Sequence, residues 1–546
     1  MSRKFCAEPA GTVAERGGPL IRWHRSSFDG SSQPYALYVP AAYDPSRSWP
    51  LVLSLHGFSS DHILNLRRVL GRGNAPDEPD CHAKSCFPEL PDVDFLIASP
   101  YGFGSLWYEG PAETDVLDVL SDVRANYTVD PDRIYLTGLS MGGAGAWHLA
   151  VRHPHLFAAV APVCGPSDYR LFASHESLAT SFAEELLAAH SPINLAGNLA
   201  HVPAKIFHGT LDDLVRVEHS RSMAQRLCEL GCHVEYVEFP EVGHDAWNLA
   251  YGDGAILHWF RMFERVSLPR SVDFSTPSLR WPGAYWVRVR QIETRPRLAT
   301  IRAEIRDGNV IQVATANVAA FDLRLDLAPV DSDSDLTVTW NGEEAFRGRP
   351  HGAELSFGEV GAGLRKRAGL EGPVGDAFRD PYVLVYGTQG DDSEAIRAGR
   401  EAAERAADPG EWGDIEIPIK PDSDVTGDDI GKFNLILFGN PRTNALIARV
   451  NEHLPVRFDS DWVQSGRRLL TGHDMGLIMV YPNPLNPDRC VALIGGDTAA
   501  TIRMAAENRE NAPDYIVFDG SSDFTDETTL RDWGYFNSQW VLGVGC

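Results

Sequence analysis

The sequence predicts an α/β protein built as three successive units: an α/β domain over residues 18–268, a small all-β, sandwich-like module over 269–370, and a C-terminal α/β layered domain over 371–546. Three observations carry this reading. From residue 18 to 268, short apolar β-branched runs alternate with segments of helical spacing, the pattern of βαβ units around a mostly parallel sheet. After residue 269 the helical spacing stops, and β-type runs follow one another across turns such as DGN and NGE. From about 376 the alternation of strand and helix returns.

In the first unit IRWHRSSF and QPYALYVP read as an antiparallel pair, and LVLSLH, DFLIAS, RIYLTG, FAAVAPV, AKIFH and HVEYVEF complete an eight-stranded sheet. DVLDVLSDVRANY and the stretch from Met141 to His153 have helical spacing, with Pro154 ending the second. GAILHWFRMFERV reads as a closing helix, and the Pro- and Ser-rich SLPRSVDFSTPSLRWPG as a short linker. YWVRVRQI, TIRAEIR, VIQVATA, FDLRLDL and LTVTW are the strands of the β module. YVLVYG, FNLILF, LIMV, CVALIG and YIVF are those of the last unit, with helices starting near Ser393, Asn444 and Thr498. Disorder is expected at the N-terminus and over residues 408–414.

A net charge of −26, spread over both halves of the chain, argues against nucleic acid and against anionic membrane surfaces as partners. MSRKFCAEPAGTVAERGG has no apolar h-region, so a cytoplasmic location is expected. Eight cysteines are too few for a disulfide scaffold; a bridge between Cys81 and Cys86 is left open, and Cys228 and Cys232 read as small buried side chains. No cofactor and no metal site are expected, and self-association is left open.

Chemistry concentrates in three motifs at predicted strand ends. Gly138-Leu139-Ser140-Met141-Gly142 stands where a strand stops and a helix starts, the context of a nucleophile on a tight turn. A Cβ at Gly138 or Gly142 is expected to collide with neighbouring backbone. A serine needs a base and an orienting acid to attack at neutral pH. The strand AKIFH runs into Gly209-Thr210-Leu211-Asp212-Asp213, with Asp212 preferred over Asp213, and HVEYVEF runs into a loop bearing Gly243-His244-Asp245. Gly-His-Asp recurs at Gly472-His473-Asp474 without a serine turn beside it, so His473 reads as structural. The Met141 amide, at a helix N-terminus, is one candidate oxyanion donor; the loop His56-Gly57-Phe58-Ser59 offers a second, Phe58 ahead of Ser59. Tyr101, Trp107, Tyr108 and Trp247 either line an acyl pocket at this edge or pack its loops.

LHGFSSD, VDPDRIYLTGLSMGGAGAW, HPHLFAAVAPVCG, HGTLDDLV and VGHDAW, in this order, resemble the prolyl-oligopeptidase-like and polyhydroxybutyrate-depolymerase-like (feruloyl-esterase-like) members of the α/β-hydrolase superfamily. The resemblance implies an α/β-hydrolase catalytic domain, acyl transfer to water, and nucleophile, acid and base at Ser140, Asp212 and His244. It makes a carboxylesterase for small or aromatic acyl esters the leading expectation. A peptidase and a carbohydrate- or polymer-directed esterase of the feruloyl or acetyl-xylan type are the alternatives. A propeller ahead of the catalytic domain, as in prolyl oligopeptidases, is not seen in these residues, which lowers the peptidase expectation. The last two units resemble the tails of some large bacterial esterases, and their removal after about residue 268 is expected to leave the Ser140 site intact.

Overall fold

The computed structural model describes residues 17–172, 180–459 and 461–542. Its first sheet has eight strands: β1 (Gly18–Arg25), β2 (Ser32–Val39), β3 (Trp49–Leu55), β4 (Leu96–Pro100), β5 (Val129–Leu139), β6 (Ala159–Val163), β7 (Ala204–Gly209) and β8 (Val234–Phe239). Their spatial order is β1-β2-β4-β3-β5-β6-β7-β8. Only the pairings β1·β2 and β2·β4 are antiparallel; from β4 to β8 the sheet is parallel, so the carboxyl ends of six crossover-connected strands gather along one edge. The strands β3, β4 and β6 are apolar almost throughout because helices cover both faces. Two apolar clusters, one on each side, contain Trp147 and Leu53, and Tyr135 and Phe260, respectively.

The helix Pro111–Asn126 starts with Pro at its first turn, where a missing amide costs nothing, and Met141–Arg152 is buried along its whole length. The closing helix is shorter than its apolar spacing predicts, covering only Ala255–Phe260; the chain beyond turns through Arg261–Phe263 onto the sheet edge, where Tyr135 Oη donates to the Phe263 carbonyl at 2.7 Å.

Residues 271–358 form two sheets of four and five strands facing a single core that includes Trp286, Ile301, Phe321 and Val338, a sandwich arrangement. Residues 382–534 form a seven-stranded mixed sheet, and a three-stranded antiparallel meander covers Val456–Thr471. Its helices begin at the expected places, capped by Asp392, Asn444 and Thr498. The meander and the edge strands Ile419–Pro421 and Asp532–Gly534 had no clear apolar run to announce them. Among the described residues no helix is long and apolar enough to cross a membrane. Cys81 and Cys86 are free, exposed thiols, so the loop is not bridged. Cys232 is buried as expected, whereas Cys228 is exposed on its helix.

A buried polar junction joins the sheets. Trp281 follows the first sheet's last helix by some twenty residues in sequence. Its indole N–H donates to Glu113 Oε1 at 2.7 Å, and its ring lies 4.5 Å from the Arg152 guanidinium and 5.7 Å from that of Arg379. Arg379 donates to Glu109 at 2.6 Å, Arg280 forms a two-pronged pair with Asp380, and His148 and His153 meet Glu113 at 3.1 and 2.8 Å. Further along, Ser181 N–H and Oγ–H donate to Glu527, and Phe182 packs on Trp533 with ring centres 4.9 Å apart.

Burial raises the Glu109 carboxyl, but the Arg379 guanidinium and neighbouring cations outweigh it and hold the group down to about 2. A folded value below the unfolded one of ~4.3 means that this stabilisation is complete above the unfolded value and fades as pH falls through it toward the folded one. Wild-type protein is therefore expected to lose on the order of 2 kcal/mol from this group between pH 5 and pH 2. In urea titrations Glu109→Gln should be weaker at pH 7 and show a shallower acid decline; parallel pH profiles would overturn the assignment.

Candidate active site

Ser140 stands at the turn between β5 and the helix Met141–Arg152 with φ of 55°, in the left-handed region that serine seldom adopts. The turn is held because its neighbours leave no alternative. The Ser140 N–H donates to the Val163 carbonyl on β6 at 2.9 Å, and the Ser140 carbonyl accepts from Ala144 at 3.0 Å. A Cβ at Gly138 would stand 2.1 Å from the Gly142 carbonyl oxygen, and one at Gly142 would stand 2.1 Å from that of Leu55. The collision expected from the motif is therefore present at both glycines.

Asp212 and His244 arrive on the loops after β7 and β8. Gly209, ending β7, lies so close to the loop after β8 that a Cβ there would be 2.3 Å from the Gly243 carbonyl oxygen. The Leu211 N–H donates to the Val242 carbonyl at 2.9 Å, which ties the two loops together. As a result His244 Nδ1 lies 2.8 Å from Asp212 Oδ2 and His244 Nε2 lies 2.8 Å from Ser140 Oγ. Asp213, by contrast, is exposed. His473 occupies an exposed turn before the strand Met475–Asn483 of the seven-stranded sheet, consistent with a structural part.

Asp212 is more elaborately held than the motif shows. Its side chain is fully buried; Oδ1 accepts the Leu214 and Val215 amides at 3.0 and 2.8 Å, and His208 Nε2 lies 3.1 Å from Oδ2. Burial alone would raise the carboxyl, but the bonds from His208, His244 and Val215 outweigh it and keep it well below the usual carboxylate range. An Asp that stays ionised fixes His244 with its proton on Nδ1 and its lone pair on the serine. His244 is also supported from behind: the Cys164 thiol donates to the His244 carbonyl at 3.3 Å, and Trp247 meets the imidazole edge to face at 5.3 Å.

The Met141 and Phe58 amides have no hydrogen-bond acceptor among the described residues, whereas the Ser59 amide donates to Ser105 Oγ at 3.0 Å. Phe58 follows Gly57, where a Cβ would lie 3.5 Å from that of Ser140. Of the two amides considered in this loop, Phe58 is thus the one open to a ligand beside the serine. The Phe58 ring is 49% exposed and lies 6.5 Å from that of Trp107, itself 36% exposed, so both rings face the solvent above the site. Tyr101 donates through its hydroxyl to Asp414 at 3.0 Å, from the far half of the chain.

Tyr108 is not a rim residue. Buried to 1% exposure, its hydroxyl accepts from the His56 N–H at 2.8 Å and donates to the His56 carbonyl at 3.2 Å, fixing the backbone just before Gly57 and Phe58. Gly145 makes room for it, since a Cβ there would stand 2.5 Å from the ring. Asp115, likewise absent from sequence reasoning, bridges His24 at 2.8 Å and the Gly102 amide at 2.7 Å, pinning the loop after β4. Neither contact has a local signature, since Asp115 is one of four acids in its helix, with Glu113, Asp118 and Asp122.

Two sets of donors could in principle hold an ion: Cys164, Asp212 and His244, and Glu78, His82 and Cys86, each with atoms within 4.8 Å of one another. In the first, His244 is engaged on both ring nitrogens; in the second, Glu78 is gripped by Arg67 at 2.6 Å and by His82 at 2.9 Å. Both sets are already committed to protein partners.

Against known proteins, residues 109–263, which span Ser140, Asp212 and His244, match the prolyl oligopeptidase family. Feruloyl esterase B of Piromyces equi is 28% identical over 116 residues, 19% of this chain and 22% of its own. The bifunctional acetylxylan esterase/xylanase of Neocallimastix patriciarum is 28% identical over 143 residues, 25% of this chain and 19% of its own. This chain carries a serine-hydrolase catalytic domain. A third relative, an uncharacterized secreted protein of Arthroderma benhamiae, is 23% identical along 98% of this chain, so its likeness extends through the segments beyond the hydrolase sheet. The chain spans 60% of that protein's length and about a fifth of the two esterases.

Two outcomes follow from the geometry. Asp212→Asn should preserve the fold but reverse the tautomer preference of His244, lowering kcat by up to about 10⁴-fold. Tyr108→Phe should leave the His56 amide buried without a partner, costing roughly 1–3 kcal/mol of stability. Because that amide sets the Phe58 position, kcat should fall with little change in KM; an unchanged kcat would remove Tyr108 from the positioning machinery.

Proposed function

We propose that the chain is a serine carboxylesterase that moves small or aromatic acyl groups to water through an acyl-enzyme on Ser140. One observation carries the reading: the unbroken relay Ser140 Oγ, His244 Nε2, His244 Nδ1 and Asp212 Oδ2, with 2.8 Å at each hydrogen bond. In this reading His244 takes the Ser140 proton as the oxygen attacks the ester carbonyl, and returns it to the departing alcohol. Water then repeats the sequence on the acyl-enzyme. The negative oxygen of each tetrahedral intermediate is met by the Met141 and Phe58 amides, the first of which also stands at the positive end of the helix Met141–Arg152. Tyr101, Trp107 and Trp247 border the substrate, with Trp107 and Phe58 offering exposed ring faces.

The catalytic groups all fall within residues 18–268, and we assign 269–370 and 371–546 as two further domains that scaffold it. The names of the esterase relatives support ester over amide substrates, and those names also support an acyl group attached to a plant polysaccharide. A peptidase is the second reading, favoured by the family match over 109–263. Amide cleavage makes a stricter demand on the same atoms, since the amine departs only when His244 protonates it.

A panel of nitrophenyl esters from acetate to butyrate, with a methyl ferulate and a proline-peptide nitroanilide alongside, separates these readings. Ester turnover with at most trace anilide hydrolysis is expected. Ser140→Ala should abolish turnover by several powers of ten, because the members of such a relay act as a unit. Wild-type rates in that variant, or anilide hydrolysis exceeding every ester, would reject the esterase reading.

A further inference from the structure

The segment expected to be disordered, residues 408–414, is docked against the hydrolase sheet. Gly413 pairs with Gly104 as an antiparallel bridge. The Ser105 N–H donates to the Trp412 carbonyl at 2.8 Å, and the Asp414 N–H donates to the Phe103 carbonyl at 2.9 Å. Tyr101 Oη–H donates to the Asp414 carboxylate at 3.0 Å across 313 residues of sequence. Close approach is possible only because residue 104 lacks a side chain: its φ is +80°, and a Cβ there would stand 2.2 Å from the Trp412 carbonyl oxygen. Gly413 is equally constrained, with Pro409 Cβ and carbonyl oxygen 2.5 and 2.6 Å from where its Cβ would be.

The clamp reaches the turn that carries Phe58 in two short steps. Ser105, held by Trp412 through its amide, accepts the Ser59 N–H on its hydroxyl at 3.0 Å. The Ser59 carbonyl accepts from the Lys84 ammonium, which in turn sits 5.6 Å from the centre of the Trp412 ring. Ser59 has φ of 58°, so the turn that presents the Phe58 amide is left-handed and held at both its N–H and its carbonyl. One of those two bonds ends on a residue clamped by the strap, and the other on a cation packed against the strap's own indole.

We propose that residues 408–414 are a working part of the active site: the strap from the C-terminal domain fixes Ser105, and Ser105 fixes the turn whose Phe58 amide faces the oxyanion. Ser105 and the strap are positioning residues, acting on the reacting atoms through Phe58. The inference rests on the serine-hydrolase reading of Ser140 but not on the choice of ester over amide. It reverses the expectation that the first 268 residues hold a self-sufficient site. It also gives the C-terminal domain a role in the reaction, since misplacing an oxyanion donor by about 1 Å costs on the order of 10²-fold.

The test uses the full-length chain and a fluorophosphonate, whose phosphoryl oxygen enters the oxyanion hole as Ser140 displaces fluoride, so that reaction at Ser140 is read without knowledge of the natural substrate. Second-order labelling rates are compared for wild type, Ser105→Ala, Ser105→Thr, Gly104→Ala and Gly413→Ala, each alongside its thermal midpoint. Ser105→Ala and Gly413→Ala are expected to label at least tenfold more slowly at a near-wild-type midpoint, and Ser105→Thr, which keeps the hydroxyl, within about threefold of wild type. Where Gly104→Ala unfolds the chain, Gly413→Ala opens the same bridge from the strap side. Wild-type labelling in Ser105→Ala and Gly413→Ala, or an equal loss in the alanine and threonine variants of Ser105, would overturn the proposal. A protein that labels normally but cleaves no ester would reject the esterase reading and leave this inference to be judged on the variants alone.

Discussion

The architecture of the site depends on close backbone approach at the carboxyl edge of the parallel sheet. Three glycines there are in contact with neighbouring backbone, two at strand ends and one in the first turn of the helix after β5: Gly138 against Gly142, Gly209 against Gly243, and Gly142 against Leu55. Any side chain at these points would push β5 from its helix, the helix from β3, or the acid loop from the base loop. A strained serine is tolerable because the surrounding sheet, already paid for by apolar burial on both faces, over-determines the turn. The same compactness sets the two distances of the relay, since Asp212 and His244 sit on loops that are hydrogen-bonded to each other before either meets the serine.

That edge is also where the remote half of the chain arrives. The buried junction around Trp281 uses Glu109 and Glu113 at the start of one helix, and His148 and Arg152 at the end of the helix that begins beside Ser140. Charges buried to this extent are tolerable only when each meets a partner, and here the partners come from the helices of the first unit and from the loops bearing Trp281 and Arg379. Pulling the first sheet away from the other two units would leave Glu109 and Glu113 without Arg379 and Trp281. The strap at 408–414 is a second attachment along the same seam, made of backbone bonds rather than charges. Between them, the two attachments restrain both ends of the loop region from Tyr101 to Pro111.

The three residues that the structure brings into one relay were legible because each sits in a local pattern that physics ties to a strand end: a glycine-flanked serine, an acid just after AKIFH, a histidine just after HVEYVEF. The strands themselves were legible because burial on both faces demands uninterrupted apolar runs. What the sequence concealed were side chains whose purpose lies in tertiary contact. Tyr108 could be read equally as a pocket-lining or a loop-packing aromatic, and only the gap above Gly145 decides that it is buried. The stretch ADPGEWGD has the composition of a flexible loop, and nothing within it shows that Gly413 will find Gly104 three hundred residues away. His208 was read as the end of a strand, with no hint that its ring would meet Asp212. Edge strands escaped for the opposite reason, since a half-solvated edge needs no apolar run.

Burial divides the labour within the site. Asp212 and Tyr108 are sealed from water, and His244 is braced by Trp247, by Cys164 and by the acid, so the groups that would move protons have little freedom to drift. The aromatic rings above the site are of another kind: Phe58 and Trp107 leave a third to a half of their surfaces open. An exposed ring gives up little packing when it turns to meet a ligand, so discrimination among acyl groups can be tuned there without disturbing the relay beneath. Phe58 joins the two layers, because its amide belongs to the fixed one and its ring to the adaptable one. A contact that steadies its backbone while leaving the ring free, as Ser105 does through Ser59, can hold the reaction centre constant while the rim above it changes.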